Sequence, residues 1–138
     1  MLNQLRERGL KLVILSGTLE RRVKEEAELL KLTEFFEGRI YGGSVDLAQF
    51  DKQMVIERLL CEERLRGENL LSFGDGPVEI RAAKSVGGVG VGVASDENHN
   101  GSGKMDSHKE RQLWEAGADV LVPDYRDGEN LLKSLLAR

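Results

Sequence analysis

Apolar residues along this chain alternate between two periods. Short, nearly unbroken runs occupy 10–15, 70–73, 89–94 and 119–122. Runs of this length read as strands, and the one at 70–73, with no polar alternation, reads as buried on both faces. Between them the apolar positions recur at helical spacing. Val23, Ala27 and Leu30 do so first; Val55, Ile56, Leu59 and Leu60 follow; then come Ala82, Ala83 and Val86. Phe35 and Phe36 close the first of these helices onto the core, and a short strand at 39–41 is broken by Gly42-Gly43. A helix at 108–116 turns Leu113 and Trp114 inward, and a last one covers 128–137. The punctuation agrees with this order. Gly9 stops a helix at 1–8, Thr18 caps the next, Asp51 caps a long helix at 52–66, and Gly67 ends it. Repeated strand–helix units argue for an α/β fold, a mostly parallel sheet with helices on both faces, in one domain covering 1–138.

The sharpest chemistry follows the run at 70–73. The chain reads Gly74-Asp75-Gly76-Pro77-Val78-Glu79. The glycines permit a tight turn and close approach of a ligand, and Pro77 suits the first turn of a helix. Glu79 then lies about one turn from Asp75. Two hard carboxylates at the carboxyl end of a strand can hold a Mg2+ ion that keeps several waters and takes a substrate phosphate. A plain βα turn with a solvated acid uses the same residues.

Composition narrows the class. Hydrophobic residues make up 40% and charged residues 32%, which fits a folded globular domain. Net charge is -4 and the charges are mixed along helices, so no basic footprint for nucleic acid is present. No apolar run approaches the ~20 residues of a membrane span, and the N-terminus is too polar for a secretory signal. Cys61, the one cysteine, cannot form an internal disulfide; a reducing cytoplasm is expected, with Cys61 a buried structural thiol.

In this order the residues resemble the haloacid dehalogenase-like (HAD-like) superfamily of phosphohydrolases. The strand Leu12-Val13-Ile14-Leu15-Ser16-Gly17 looks like the family's second motif, which ends in Ser or Thr. Lys52, opening a helix, looks like the third, and Gly74 to Glu79 like the fourth. The tail Ala116-Gly117-Ala118-Asp119-Val120-Leu121-Val122-Pro123-Asp124 is also similar to that of many members. The resemblance implies a Rossmann-like three-layer core and a Mg2+-dependent phosphatase acting on a small phosphorylated metabolite through an aspartyl-phosphate. It implies that Ser16, Gly17 and Thr18 bind the phosphate, that Lys52 stabilises phosphate and intermediate, and that Asp75 and Glu79 hold the metal. The pairing is chemically apt, because phosphoryl transfer needs mostly positioning and charge neutralisation. A hydroxyl and a backbone N–H at a helix N-terminus suit phosphate oxygens, and a lysine adds a point charge.

The family's first motif, Asp-x-Asp, supplies the nucleophile and the general acid. It occurs nowhere in these 138 residues. The fold is therefore expected to lack the central first strand, and the chain alone to be inactive. Two explanations stand: the C-terminal part of a longer hydrolase, which the retained phosphate and metal residues favour, or a natural short protein that lost catalysis or borrows a strand. The second makes it a non-catalytic phosphate- or partner-binding or assembly module. Either way, open sheet edges invite self-association. Only 42–50 separates the third strand from Asp51, too short for a cap domain.

Other motifs carry less. Gly87-Gly88-Val89-Gly90-Val91-Gly92 follows a helix and lies within a strand, unlike a dinucleotide fingerprint; close helix–sheet packing explains its glycines. Gly101-Ser102-Gly103-Lys104 fails as a P-loop, because Asn98 and Met105 stand where Gly and Ser or Thr are needed, and it reads as a flexible loop. His99 and His108 are expected at the surface, and Trp114 as a core anchor.

Overall fold

The computed structural model describes residues 1–45 and 51–137. The segment 46–50, part of the connection read above as too short for a cap, lies outside them. In chain order the elements are α1 (Leu2–Glu7), β1 (Ile14–Leu19), α2 (Glu20–Leu29), α3 (Thr33–Phe36), β2 (Ile40–Gly43), α4 (Lys52–Glu62), β3 (Leu71–Gly74), α5 (Pro77–Ser85), β4 (Val89–Val93), α6 (Ser107–Glu115), β5 (Val120–Val122) and α7 (Gly128–Leu136). Short 3-10 turns cover Gly67–Asn69 and Glu97–His99. The chain divides into two compact units, Met1–Lys52 with Glu129–Arg138, and Gln53–Gly128. Both have the expected α/β character, with parallel strands and helices packed on them.

In the first unit β1 and β2 pair in parallel, with Ile14 opposite Ile40 and Leu15 opposite Tyr41. Val23 and Ala27 of α2 cover this pair together with Phe36 and Ile40, and Leu2, Leu12, Ile14, Leu32 and Phe35 pack around them. The strand expected at 10–15 is shifted to Ile14–Leu19. The reason is its partner: β2 begins only at Ile40, so the ladder starts at Ile14, and the Leu12 carbonyl accepts the Arg39 Nε–H at 3.0 Å instead of a strand N–H. The register is irregular between Leu15 and Leu19, so the stretch with Ser16, Gly17 and Thr18 leaves the ladder. Thr18 does not cap α2. Leu19 occupies the N-cap with no side-chain bond, and the Thr18 N–H donates to the Ser16 hydroxyl at 3.2 Å. Gly42 belongs to β2 rather than breaking it. A Cβ there would meet the Glu20 Cα and the Thr18 carbonyl oxygen at 2.6 Å, so only glycine lets α2 start this close.

In the second unit β3, β4 and β5 form a parallel sheet in that order. Ile80, Ala94, Leu113, Ala116 and Ala118 make its core, with Leu121 against them. The glycines of β4 serve packing, as expected. A Cβ on Gly90 would touch Ile80 of α5 at 3.4 Å, and one on Gly92 would lie 2.5 Å from Leu121 Cδ2 and 3.0 Å from Leu113 Cδ1. β4 is buried along most of its length, but every residue of β3 is only half-buried. The run at 70–73 is thus not enclosed on both faces. β3 is an edge strand, bonded only to β4 among the described residues.

Two further expectations fail for one reason. Trp114 is 51% exposed and Cys61 is exposed, whereas Leu113 is fully buried. Each misplaced side chain follows the last buried or half-buried apolar residue by one position, about 100° around the helix, and so points off its apolar stripe. α4 also ends earlier than expected. Its last turn closes at Arg64, in the left-handed region with φ 55, where Leu65 N–H bonds the Leu60 carbonyl at 2.9 Å. Gly67 instead opens the following 3-10 turn.

Candidate functional site

The acidic part of the site sits where β3 gives way to α5. Gly76 is the N-cap of α5 and Pro77 its first residue, so Glu79 occupies the third helical position. From there its side chain folds back over the turn. A Cβ on Gly74 would lie 2.7 Å from Glu79 Cβ, and one on Gly76 would lie 2.8 Å from Glu79 Oε2. Gly74 is required by this approach, whereas at Gly76 the neighbour is the movable end of the Glu79 side chain. The Glu79 carboxylate therefore lies against the Gly74-Asp75-Gly76 turn, with Asp75 exposed at its tip. A glutamate at this helical position is also suited to reach back toward the N-cap, so one side chain can organise the helix start and face a ligand.

This donor set suits Mg2+. The ion asks for hard oxygens, takes one or two carboxylates, and completes its octahedron with water and phosphate. Among the described residues no three His, Cys, Asp or Glu side chains gather as a metal-holding group. The two carboxylates of the turn match an ion that keeps most of its water.

Two residues absent from the motif reading are within reach of the turn's charge. Asp75's charge reaches two groups. The Lys109 ammonium is held above its ordinary pKa, first by its hydrogen bond to Glu97 and further by the Glu97, Asp75 and Asp106 charges. The Tyr125 hydroxyl is also raised, first by partial burial and then by Asp75. Lys109 Nζ lies 2.6 Å from Glu97 Oε1. The Tyr125 ring meets Phe73 of β3 edge-on, with centroids 6.1 Å apart. One signal for Lys109 exists in sequence: a lysine three residues after Asp106, an N-cap that accepts the Lys109 N–H at 2.8 Å. A cation in the first turn opposes the helix dipole and needs acidic company.

The loop that holds Gly101-Ser102-Gly103-Lys104, expected to be flexible, is fastened at its base. Ser95 and Met105 form an antiparallel bridge, and the Asp106 N–H bonds the Ala94 carbonyl at 2.9 Å. The Arg126 guanidinium donates to the Gly101 carbonyl while its Nε lies 3.2 Å from Asp124. His99 and His108 are exposed, as expected, and His99 pairs with Asp96 at 3.0 Å.

The residues assigned to phosphate lie in the first unit. Ser16, half-buried, and Gly17 and Thr18, both exposed, occupy the carboxyl-terminal part of β1. Ser16 Oγ accepts the Thr18 N–H, which leaves its own hydroxyl hydrogen available to a ligand. A Cβ on Gly17 would meet nothing within 4 Å, so its surroundings are open. Lys52 is the first residue of α4 and half-buried.

The motif order, the parallel strands and the acidic turn define a hydrolase core of one known type. The chain belongs to the haloacid dehalogenase-like hydrolase family, whose sequence profile matches residues 1–87. No curated protein matches it in sequence. Solved structures share its fold. A predicted phosphatase from Clostridium acetobutylicum is similar with a TM-score of 0.73 at 23% identity, over 99% of this chain and 57% of that one. A HAD family hydrolase from Deinococcus radiodurans, with bound phosphate and sodium, gives 0.76 at 18% identity, over 97% of this chain and 56% of the other. A haloacid dehalogenase-like hydrolase from Streptococcus pneumoniae gives 0.70 at 19% identity, over 95% and 56%. The chain spans little more than half the length of these proteins. Among the described residues no helix is long and apolar enough to cross a membrane.

Proposed function

We propose that this chain carries the phosphate- and Mg2+-binding part of a phosphohydrolase acting on a small phosphorylated metabolite in the cytoplasm. The observation that carries this reading is the Glu79 carboxylate folded against the Gly74-Asp75-Gly76 turn at the carboxyl end of a parallel strand, in a member of a hydrolase family. Asp75 and Glu79 would hold the metal, directly or through water. When bound, Mg2+ screens the repulsion between an anionic substrate and an attacking carboxylate. The chain's own residues do the rest of the holding. Ser16 donates its hydroxyl and Gly17 its N–H to phosphate oxygens, Thr18 completes that turn, and Lys52 supplies a compact positive charge. No residue here is assigned to attack phosphorus, because Asp-x-Asp is absent from the sequence.

The test is calorimetric titration of MgCl2 into the 138-residue protein and its Asp75→Asn variant, alongside a phosphatase assay on a generic phosphomonoester. Mg2+ should bind, Asp75→Asn should weaken it at least about tenfold, and turnover should be undetectable. Wild-type protein indifferent to Mg2+, or binding unaffected by Asp75→Asn, overturns the metal assignment and favours a non-catalytic module. Magnesium-dependent turnover overturns the claim that the attacking group lies elsewhere.

A further inference from the structure

We propose that Lys109 is the cation of the Asp75 site, a phosphate-binding lysine tethered by Glu97 that offsets the carboxylate charge of the acidic turn. The inference rests on the assignment of Asp75 and Glu79 to Mg2+.

Placement supports it first. In a parallel sheet the segments after successive strands emerge at one carboxyl edge, where open α/β sheets bind ligands. Asp75 follows β3, Glu97 and the start of α6 follow β4, and Tyr125 follows β5, in a sheet ordered β3-β4-β5. Lys109 is thus delivered to the same edge as Asp75, and the Phe73–Tyr125 ring contact ties the β3 and β5 sides of that edge together.

The helix position supports it next. Lys109 sits in the first turn of α6, where unsatisfied N–H groups already concentrate positive charge. The usual occupant at this place after an Asp N-cap is a carboxylate or amide. A lysine on a surface helix normally runs out to water. This one keeps only 22% of its side chain exposed, while its partner Glu97 is 69% exposed. The stem lies along the protein surface, and the ammonium is held by the Glu97 carboxylate at 2.6 Å.

Chemistry gives the role. An ammonium beside a metal-binding carboxylate repels the metal and attracts the phosphate. Its removal therefore pushes the two affinities in opposite directions, which loss of local structure cannot do. The experiment titrates Mg2+, and separately inorganic phosphate at saturating Mg2+, into the full chain carrying no change, Lys109→Met, Lys109→Arg, Glu97→Gln or Asp75→Asn. Thermal melting of each variant checks folding. Lys109→Met should tighten Mg2+ and weaken phosphate, each by about threefold to tenfold at low salt, with both shifts shrinking as salt screens them. Lys109→Arg should keep both near wild type. Glu97→Gln, which leaves the ammonium unneutralised, should weaken Mg2+. If Lys109→Met leaves both affinities unchanged, or weakens both together, the inference is overturned, even where Asp75→Asn abolishes Mg2+ binding. If Asp75→Asn leaves Mg2+ binding intact, the metal assignment itself has failed, and the inference falls with it.

Discussion

Gly67 packs directly against the backbone at Val86: a Cβ on it would stand 1.5 Å from the Val86 carbonyl oxygen. No rotamer relieves that clash, because the obstacle is main chain on both sides. The close approach joins the 3-10 turn before β3 to the end of α5, and so sets the strand that presents Asp75. Gly67→Ala should therefore destabilise the fold by at least about 2 kcal/mol. Gly17→Ala, with nothing within 4 Å of the new carbon, should stay within about 0.5 kcal/mol of wild type. Urea unfolding midpoints at constant slope decide both; a neutral Gly67→Ala would contradict the packing described.

A second prediction concerns Lys84 and Asp119. The lysine Nζ lies 2.9 Å from both carboxylate oxygens and 3.0 Å from the Gly88 carbonyl, and Asp119 also accepts the Gly90 N–H at 2.8 Å. The ion pair is a third or more exposed, so its Coulomb share is small. The backbone bond matters more, because Gly90 belongs to β4 and its N–H is part-buried. Asp119→Ala should cost about 1–2 kcal/mol, and Asp119→Asn, which keeps an acceptor for that N–H, clearly less. Equal losses in the two variants, measured by chemical denaturation, would show that charge rather than the backbone bond dominates.

The legibility of this chain was uneven, and helix endings show why. Gly9, Gly87 and Gly117 end α1, α5 and α6 in the left-handed region, with φ of 73, 83 and 96. Glycine marks such a stop because it alone takes that conformation without strain. α2 and α4 end in the same conformation on Lys31 and Arg64, with φ of 57 and 55, where no residue type announces it. The acidic turn was readable because its marks are local: Gly74 leaves room for the Glu79 Cβ, and Pro77 fits the first turn of α5. Lys109 was not, because its relation to Asp75 passes through the β3–β4 register and a loop fastened by Ser95 and Met105. The shift of β1 has the same origin: a strand begins where its partner begins, and Ile40 is distant in sequence.

Adjacent residues of α6 allow a direct comparison of burial. Leu113 is fully buried among Ile80, Ala94, Ala116 and Ala118, while Trp114 is 51% exposed. Leu113→Ala should cost about 2–5 kcal/mol, from lost transfer energy and the cavity left behind. Trp114→Ala removes the larger side chain yet should cost less than about 1 kcal/mol. Thermal melting of the two variants ranks them; a larger loss from Trp114→Ala would mean that the tryptophan is covered in solution.

The last prediction is electrostatic. The His99 ring N–H donates to Asp96 at 3.0 Å, and the Asn98 N–H bonds the other carboxylate oxygen at the same distance. These contacts hold the Asp96 carboxyl below its ordinary range, the His99 hydrogen bond contributing most. A carboxylate with a depressed folded-state pKa stabilises the fold above its unfolded pKa, and that share is lost as pH falls through the lower folded value. Asp96 carries the cap of the 3-10 turn Glu97–His99, so the contribution is local to the start of the 95–106 loop. It is exposed to solvent screening, and global stability should barely register it. The titration itself should. Followed by carboxyl 13C shifts, Asp96 should titrate below an ordinary aspartate in the wild type and move up toward the usual range in His99→Ala. An Asp96 midpoint that is unchanged by His99→Ala would assign the shift to the Asn98 N–H instead, and would remove His99 from the group that organises this loop.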